Sequence, residues 1–356
     1  MMKILKYGVI LSFLIAIAVG VGGYAYWESL KTYGQTSLGQ QGVVELTIPK
    51  GKNPKAVARM LQEKGLILDA ERFYRYARHI AKEAHKIKAG EYVLEKSATP
   101  FEILKAIQSG KRKEIPFTVP EGSSKIDIVK IITKAGFANE MKLRALMEDP
   151  ELIKEFGVPD RGADEQDTVP GGIEGYLFPD TYQFPKGTPA KTILKRMNAR
   201  LKEVIDDEIK QRMKAMGWNL HKTLTLAAII EKETGKSFER PHISSVFHNR
   251  MKRKMKMQTD PTVIYGIQGY DGNIRKKDLR AYHPYNTYRI KGLPPGPIAS
   301  PGKAAIKAAL WPDTTEDLFF VSRNDGTHIF CPTLECHNRN VRKWQVEYFR
   351  KKKARK

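Results

Sequence analysis

The chain has 356 residues, 41% of them apolar and 28% charged, which excludes a mostly disordered polypeptide and allows about two folded domains. Lys and Arg number 62 against 39 Asp and Glu, a formal surplus of +23 that suits an anionic partner: nucleic acid, phospholipid headgroups or a cell-wall polymer. The two cysteines are too few for a disulfide-built scaffold.

Residues 1–6 are basic, with Lys3 and Lys6 preceding Tyr7–Trp27, a stretch free of charged side chains that ends in Tyr24, Tyr26 and Trp27. That length spans a bilayer as a helix, and the aromatic end suits an interface. Ala16-Ile17-Ala18 resembles a signal-peptide cleavage site, but the apolar stretch runs well past it. The leading lysines predict a cytoplasmic N-terminus, a single pass and everything after Trp27 outside. An exported domain fits poorly with genomic DNA, so no nucleic-acid partner is expected and a wall polymer or membrane surface better explains the charge.

Residues 28–42 read as a polar, Gly-bearing linker. Over 43–119 the pattern predicts strands at 43–48, 90–94 and 115–119, with helices at 54–64, 70–84 and 100–109, a small α+β module. Its phrases IPKG, KAGEY and FTVPEG resemble the LysM-like subdomain of membrane-bound peptidoglycan enzymes. LysM modules as a class bind glycan, and a spacer role stays equally open. A connecting segment, 120–172, carries helices at 124–135 and 141–156 and an acidic loop at 160–167.

The larger α+β domain, 173–349, opens on IEGYLFPDTYQF, in which Tyr176, Phe178 and Tyr182 read as core while Glu174 and Asp180 are candidate substrate contacts. Helical periodicity covers 188–216, 241–251, 304–310 and 337–350, and a hairpin joins 318–321 to 328–330 around Asn324-Asp325-Gly326. GLPPGPIASPG, 292–302, is too rich in Pro and Gly for a helix or central strand and reads as a fixed loop. Cys331 and Cys336 read by default as unpaired thiols, with pairing in an oxidising compartment left open; His328 and His337 nearby match no standard metal-ligand spacing, so no metal site is expected. Residues 350–356 form a basic tail.

Between these lies KTLTLAAIIEKETG, Lys222–Gly235, with Asn219 or Thr223 as start signal and Gly235 as stop. On a helix, Leu226, Ile229 and Ile230 make an apolar stripe that includes Glu233, whereas Glu231 points to nearly the opposite side. A carboxyl on a buried face keeps its proton to higher pH, as a general acid requires. Glu233 is therefore the candidate catalytic residue.

IIEKET, HNR, MQTDPTVIYG, YNTY, GLPPGPIASPG and EGYLFPDTY, in this composition, resemble the YceG-like family of endolytic murein transglycosylases, from the anchor to Trp344. The resemblance implies cleavage of the β-1,4 bond between N-acetylmuramic acid and N-acetylglucosamine in nascent peptidoglycan, leaving 1,6-anhydromuramyl ends and limiting glycan length. It implies wall-building synthases, the penicillin-binding proteins, as partners. A weaker similarity to lysozyme-like lytic transglycosylases, through Glu233-Thr234, Met257-Gln258 and Tyr285-Asn286, also selects Glu233 and suggests a lysozyme-like active-site helix.

One carboxyl suffices if the nucleophile is the sugar's own C6 hydroxyl, already tethered to the reacting ring. No metal or organic cofactor is called for. Gln258, Asn286 and Tyr288 are candidates to contact the sugar, Tyr285 a candidate stacking face, and Glu239 with Arg250 a supporting ion pair, Arg240 being a looser option. Asp260 could be a second carboxylate, but TDPT is better read as a helix start. Rival readings are a muramidase-type hydrolase and a noncatalytic glycan-binding scaffold.

Overall fold

Prolines and side-chain caps set most of the element boundaries in this chain. The structure, a computed structural model, describes residues 2–110, 114–159 and 172–350; the acidic loop expected at 160–167 and all but the first residue of the basic tail lie outside the described residues. The chain divides into two compact units, Met1–Ile115 and Pro116–Lys356.

In the first unit, helix α1 (Met2–Gln35) includes Phe13–Gln35, a stretch of mean hydropathy 1.3 that is long and apolar enough to cross a membrane. Phe13, Leu14, Tyr24 and Trp27 are exposed along it. The linker expected from Glu28 begins only after Gln35. Residues 28–35 stay helical because Leu30, 2% exposed, is buried, and Tyr33 sets its ring edge-on against Tyr76 at 6.3 Å. Strand β1 (Val43–Ile48), helices α2 (Pro54–Glu63) and α3 (Ala70–Arg75), strand β2 (Gly90–Glu95) and helix α4 (Pro100–Ser109) complete the unit. β1 and β2 pair antiparallel with Leu46 opposite Tyr92, and Val57, Leu61, Phe73 and Ile103 fill the core they share. Pro54 and Pro100 occupy first helical positions, where a missing N–H leaves no bond unmade. The single helix expected over 70–84 instead loosens into a π turn at Tyr76–Ile80 and stops at Lys82, whose φ of +56° ends it.

The second unit begins within β3 (Glu114–Thr118) and runs on through α5 (Lys125–Lys134), α6 (Glu140–Met147), α7 (Pro150–Phe156), β4 (Thr181–Pro185), α8 (Ala190–Val204), α9 (Asp207–Ala215), α10 (Leu220–Glu233), α11 (Arg240–Lys252), α12 (Asp260–Gly266), α13 (Lys276–Arg280), α14 (Lys303–Leu310), β5 (Phe319–Ser322), β6 (His328–Cys331) and α15 (Leu334–Val341). β3 pairs with β4, and β5 with β6 in an antiparallel hairpin, so the fold is mixed α+β. The helix expected over 141–156 is two, since Pro150 cannot continue α6 and Asp149 caps α7 by accepting from Glu151 N and Leu152 N. Asp206 splits 188–216 in the same manner, accepting from Ile209 N. The closing helix starts at Leu334, three residues early, because Thr333 caps it, and it passes into a π turn at Arg342–Glu347. Cys331 and Cys336, expected as free thiols, are joined in a disulfide with Cα atoms 5.7 Å apart.

The core centres on α10, where Leu224, Leu226, Ala227, Ala228, Ile229 and Ile230 are all buried. The Pro- and Gly-rich loop at 292–302 is irregular and fixed to it. His221 Nε2 lies 2.7 Å from Pro295 O, an acceptor only, so Nε2 carries the proton and Nδ1 accepts from the Tyr176 hydroxyl at 3.0 Å. Gly175 permits the close approach. Its φ is +78°, and a Cβ there would fall 2.4 Å from Pro297 Cβ.

Candidate active site

Asn219 starts α10 by accepting from Lys222 N at 2.8 Å, and Thr234 ends it by turning extended, φ −144°. Glu231 and Glu233 both leave its last turn. The two-faced helix of the sequence reading is not what separates them, since α10 is buried all round and the Glu231 side chain is only 6% exposed. Partners make the difference. Glu231 is neutralised by Arg240 at 2.5 Å and accepts from Gly302 N at 3.0 Å. A Cβ at residue 302 would push aside the half-exposed Glu121 carboxyl. Glu233 has no cation within ion-pair distance among the described residues and accepts a short hydrogen bond from the Thr259 hydroxyl.

Glu233 opens into a cleft of about 440 Å³. Burial pushes its carboxyl up to about 7 from an ordinary 4.5, the Thr259 bond opposes that, the nearby Asp260 charge adds to it, and Arg250 opposes it. Gln258, on the wall, holds φ at +51°, a left-handed conformation for a non-glycine residue, with its N–H donating to Thr287 O at 3.2 Å. Such backbone is kept only where surroundings enforce it, and it concentrates at functional sites. Arg250 reaches across from α11, donating to Met257 O at 2.7 Å and Leu318 O at 2.6 Å, with Gln258 Oε1 at 3.4 Å. It thereby fixes the Met257-Gln258 phrase against the hairpin. Tyr288 donates to Asp260 Oδ1 at 2.7 Å, and both line the cleft. Asp260 is indeed the first residue of α12, as TDPT indicates, and also a cleft residue.

Other candidates lie elsewhere. Tyr285 and Asn286 are 0% and 2% exposed and do not line the cleft. Tyr285 packs on Tyr265 at 4.8 Å, while the Asn286 amide donates to the carbonyls of Asp278 and Ala281 and its oxygen accepts from Tyr288 N, which holds the loop before Tyr288. The expected Glu239–Arg250 pair is absent. Glu239 instead accepts from the His328 N–H and Nδ1 at 2.8 Å each and from Thr234, tying the hairpin to the end of α10. Arg250 sits among carbonyls because its guanidinium is needed by the turn at Met257. Glu174 is buried outside the cleft, and Asp180 pairs with Arg200 at 2.8 Å.

The sequence reading offered none of Thr259, Phe319, Phe320, Leu334 and Asn338 for the site, and named His337 only in a metal-ligand set that it set aside. Phe319 lies under Arg250 at 5.2 Å and stacks on His337 at 5.3 Å, and His337 Nδ1 is buried without a hydrogen-bond partner among the described residues. Only the hairpin pattern hinted that this region matters.

The model of the YceG-like family matches residues 46–343, most of the chain. The chain belongs to the YceG-like family. Among similar proteins, an endolytic murein transglycosylase of Bacillus subtilis is 33% identical over 91% of this YceG-like chain and 90% of its own length. One from Streptococcus pneumoniae is 28% identical over 93% of the chain, which spans 64% of that longer relative. A crystal structure of a yceG-like protein from Listeria monocytogenes, 31% identical, superposes with a TM-score of 0.58 over 84% of this chain and 99% of its own.

Proposed function

We propose that this YceG-like chain is an endolytic peptidoglycan transglycosylase, with Glu233 as its acid and base. The carrying observation is a carboxyl that holds its proton to about pH 7 at the end of a buried helix, facing an open cleft, in a chain so similar to the Bacillus enzyme. Glu233 protonates the glycosidic oxygen as the C1–O bond breaks, leaving an oxocarbenium-like sugar. The C6 hydroxyl of the same sugar closes on C1, its proton passes to the Glu233 carboxylate, and a 1,6-anhydromuramyl end remains. In this reading Gln258 and Tyr288, which line the cleft, contact the sugar and Thr259 aims the carboxyl, while Tyr285 and Asn286 hold the loop that carries Tyr288.

The apolar span of α1 anchors the protein in a membrane. With its basic N-terminus inside and the cleft outside, the enzyme meets newly polymerised strands beside the synthases that make them. We read residues 43–119 as a LysM-like module, a reading that the two-stranded antiparallel sheet and its packed helices support.

Mass spectrometry of purified glycan strands tests the chemistry. Wild type yields anhydromuramyl ends, and Glu233→Gln lowers their rate by about 100-fold or more. Glu231→Gln, which loses a salt bridge rather than the acid, still forms them in the fraction that folds. Reducing ends in place of anhydro ends would replace internal transfer by hydrolysis.

A further inference from the structure

A second chamber, about 690 Å³, lies on the other side of α12 from the cleft. Asp260 lines the cleft, whereas Pro261, Ile264 and Tyr265 of the same helix line the chamber. At the end of α10, likewise, Glu233 faces the cleft and Lys232 the chamber. Its inner wall is a built polar contact. Glu174, 3% exposed, accepts from Lys125 N at 3.0 Å and from the Tyr265 hydroxyl at 3.1 Å, locking the start of α5 to α12. Around that clamp the surface is aliphatic, with Ile126, Ile264, Ile267 and Ile298. Lys130 and Lys232 add positive charge, Lys232 Nζ reaching Gly122 O at 3.3 Å, while Asp127 is held in the capping box of α5 by Ser124.

Such a chamber suits a short anionic peptide, small aliphatic side chains against isoleucines and carboxylates toward lysines. The muramyl sugar of peptidoglycan carries a group of this kind, a peptide rich in alanine with free carboxylates. Four or five extended residues span about 13 to 18 Å, enough to round one helix about 10 to 12 Å across. We infer that the chamber binds the peptide side chain of a muramyl sugar whose glycan backbone lies in the cleft. The inference rests on the transglycosylase reading of the cleft and adds a substrate requirement to it. It makes the peptide a handle that sets which strands are held.

The test uses the full chain in detergent micelles, as wild type, Lys130→Glu and Tyr270→Ala, two exposed positions of the chamber. Each acts on uncrosslinked glycan bearing its peptides and on the same glycan stripped by an amidase. Wild type should show a KM about ten-fold lower for the peptide-bearing strands, the size of one good charged contact. Both variants should lose that advantage while kcat on stripped glycan stays unchanged. Equal KM values in wild type, or variants that slow both substrates alike, overturn the inference. A second arm needs no catalysis: fluorescence anisotropy of the dye-labelled pentapeptide L-Ala-D-Glu-L-Lys-D-Ala-D-Ala with Glu233→Gln, alone and combined with Lys130→Glu. Binding that Lys130→Glu weakens supports the chamber even if no strand is cut, which would sink only the activity reading. No binding to either protein overturns the chamber whatever the cleft does.

Discussion

Glu233 keeps its proton to about pH 7, so the rate of a reaction that begins by donating it should fall as pH rises through that value. Two neighbours set where the fall lies. Thr259 donates to the carboxylate and favours the charged form, so Thr259→Val should move the fall to higher pH. Asp260 opposes ionisation, so Asp260→Asn should move it lower. Rate profiles of the three proteins between pH 5 and 9 check both signs. Glu174 is raised to about 7 by burial as well, against the opposing bonds of Lys125 and Tyr265. Between its ordinary 4.5 and about 7 the folded chain holds a proton that the unfolded chain has released. Stability therefore falls as pH rises across that window, by up to about 3 kcal/mol, and levels off above it. Glu233 adds a like slope over the same window, so urea unfolding at pH 5 and pH 8 should show both, and Glu174→Gln should remove only its own share. At this scale the sequence and the structure single out the same glutamate as the candidate acid, for different reasons. Spacing placed Glu233 among isoleucines, whereas what sets it apart is that Arg240 and Gly302 occupy Glu231, and partners distant in sequence cannot be read from helical faces.

Elements were legible where local chemistry decides them. Asn219 before α10, the Pro54 and Pro100 starts and the Asn324-Asp325-Gly326 hairpin all follow from residues within a few positions. Periodicity alone ran helices together over 141–156 and 188–216, since apolar spacing passes through a break that Asp149-Pro150 and Asp206 impose. The β5–β6 hairpin had a further role that no local signal carries. Glu239 binds it by two His328 donors, and its strands supply Phe319 and Phe320 to the cleft. Glu239→Ala leaves those donors buried and unpaired, so it should cost about 2 to 4 kcal/mol in denaturant unfolding. Activity should fall further than the folded fraction does, because the wall of the cleft is released with the hairpin.

For the whole molecule, charge pointed to an anionic partner, and the apolar N-terminal stretch pointed to an anchor and narrowed that partner to a wall polymer or membrane surface. The cleft itself was only half visible. Glu233, Gln258 and Tyr288 came from recognisable phrases, but the wall opposite them is built from residues some thirty to a hundred positions further on, brought in by packing. The helix that carries the anchor continues through the expected linker start to Gln35, and this has a practical test. A soluble chain starting at residue 28 keeps Leu30 and Tyr33 on the first unit, while one starting at residue 36 removes them. The shorter chain should unfold about 2 to 3 kcal/mol more easily, as expected for stripping a buried leucine from its site.

The same unbroken helix works as a stalk. Its 34 residues measure about 51 Å, against about 30 Å of hydrocarbon, and Leu30 is buried only about 5 Å beyond Trp27. In the proposed topology the first unit rides at the lipid headgroups, like a gauge foot set on a surface, with no slack between bilayer and protein. A Gly-Ser insertion after Trp27 would give that foot free play, and the strands left in the wall of such cells should broaden in length distribution while the chemistry of their ends stays the same.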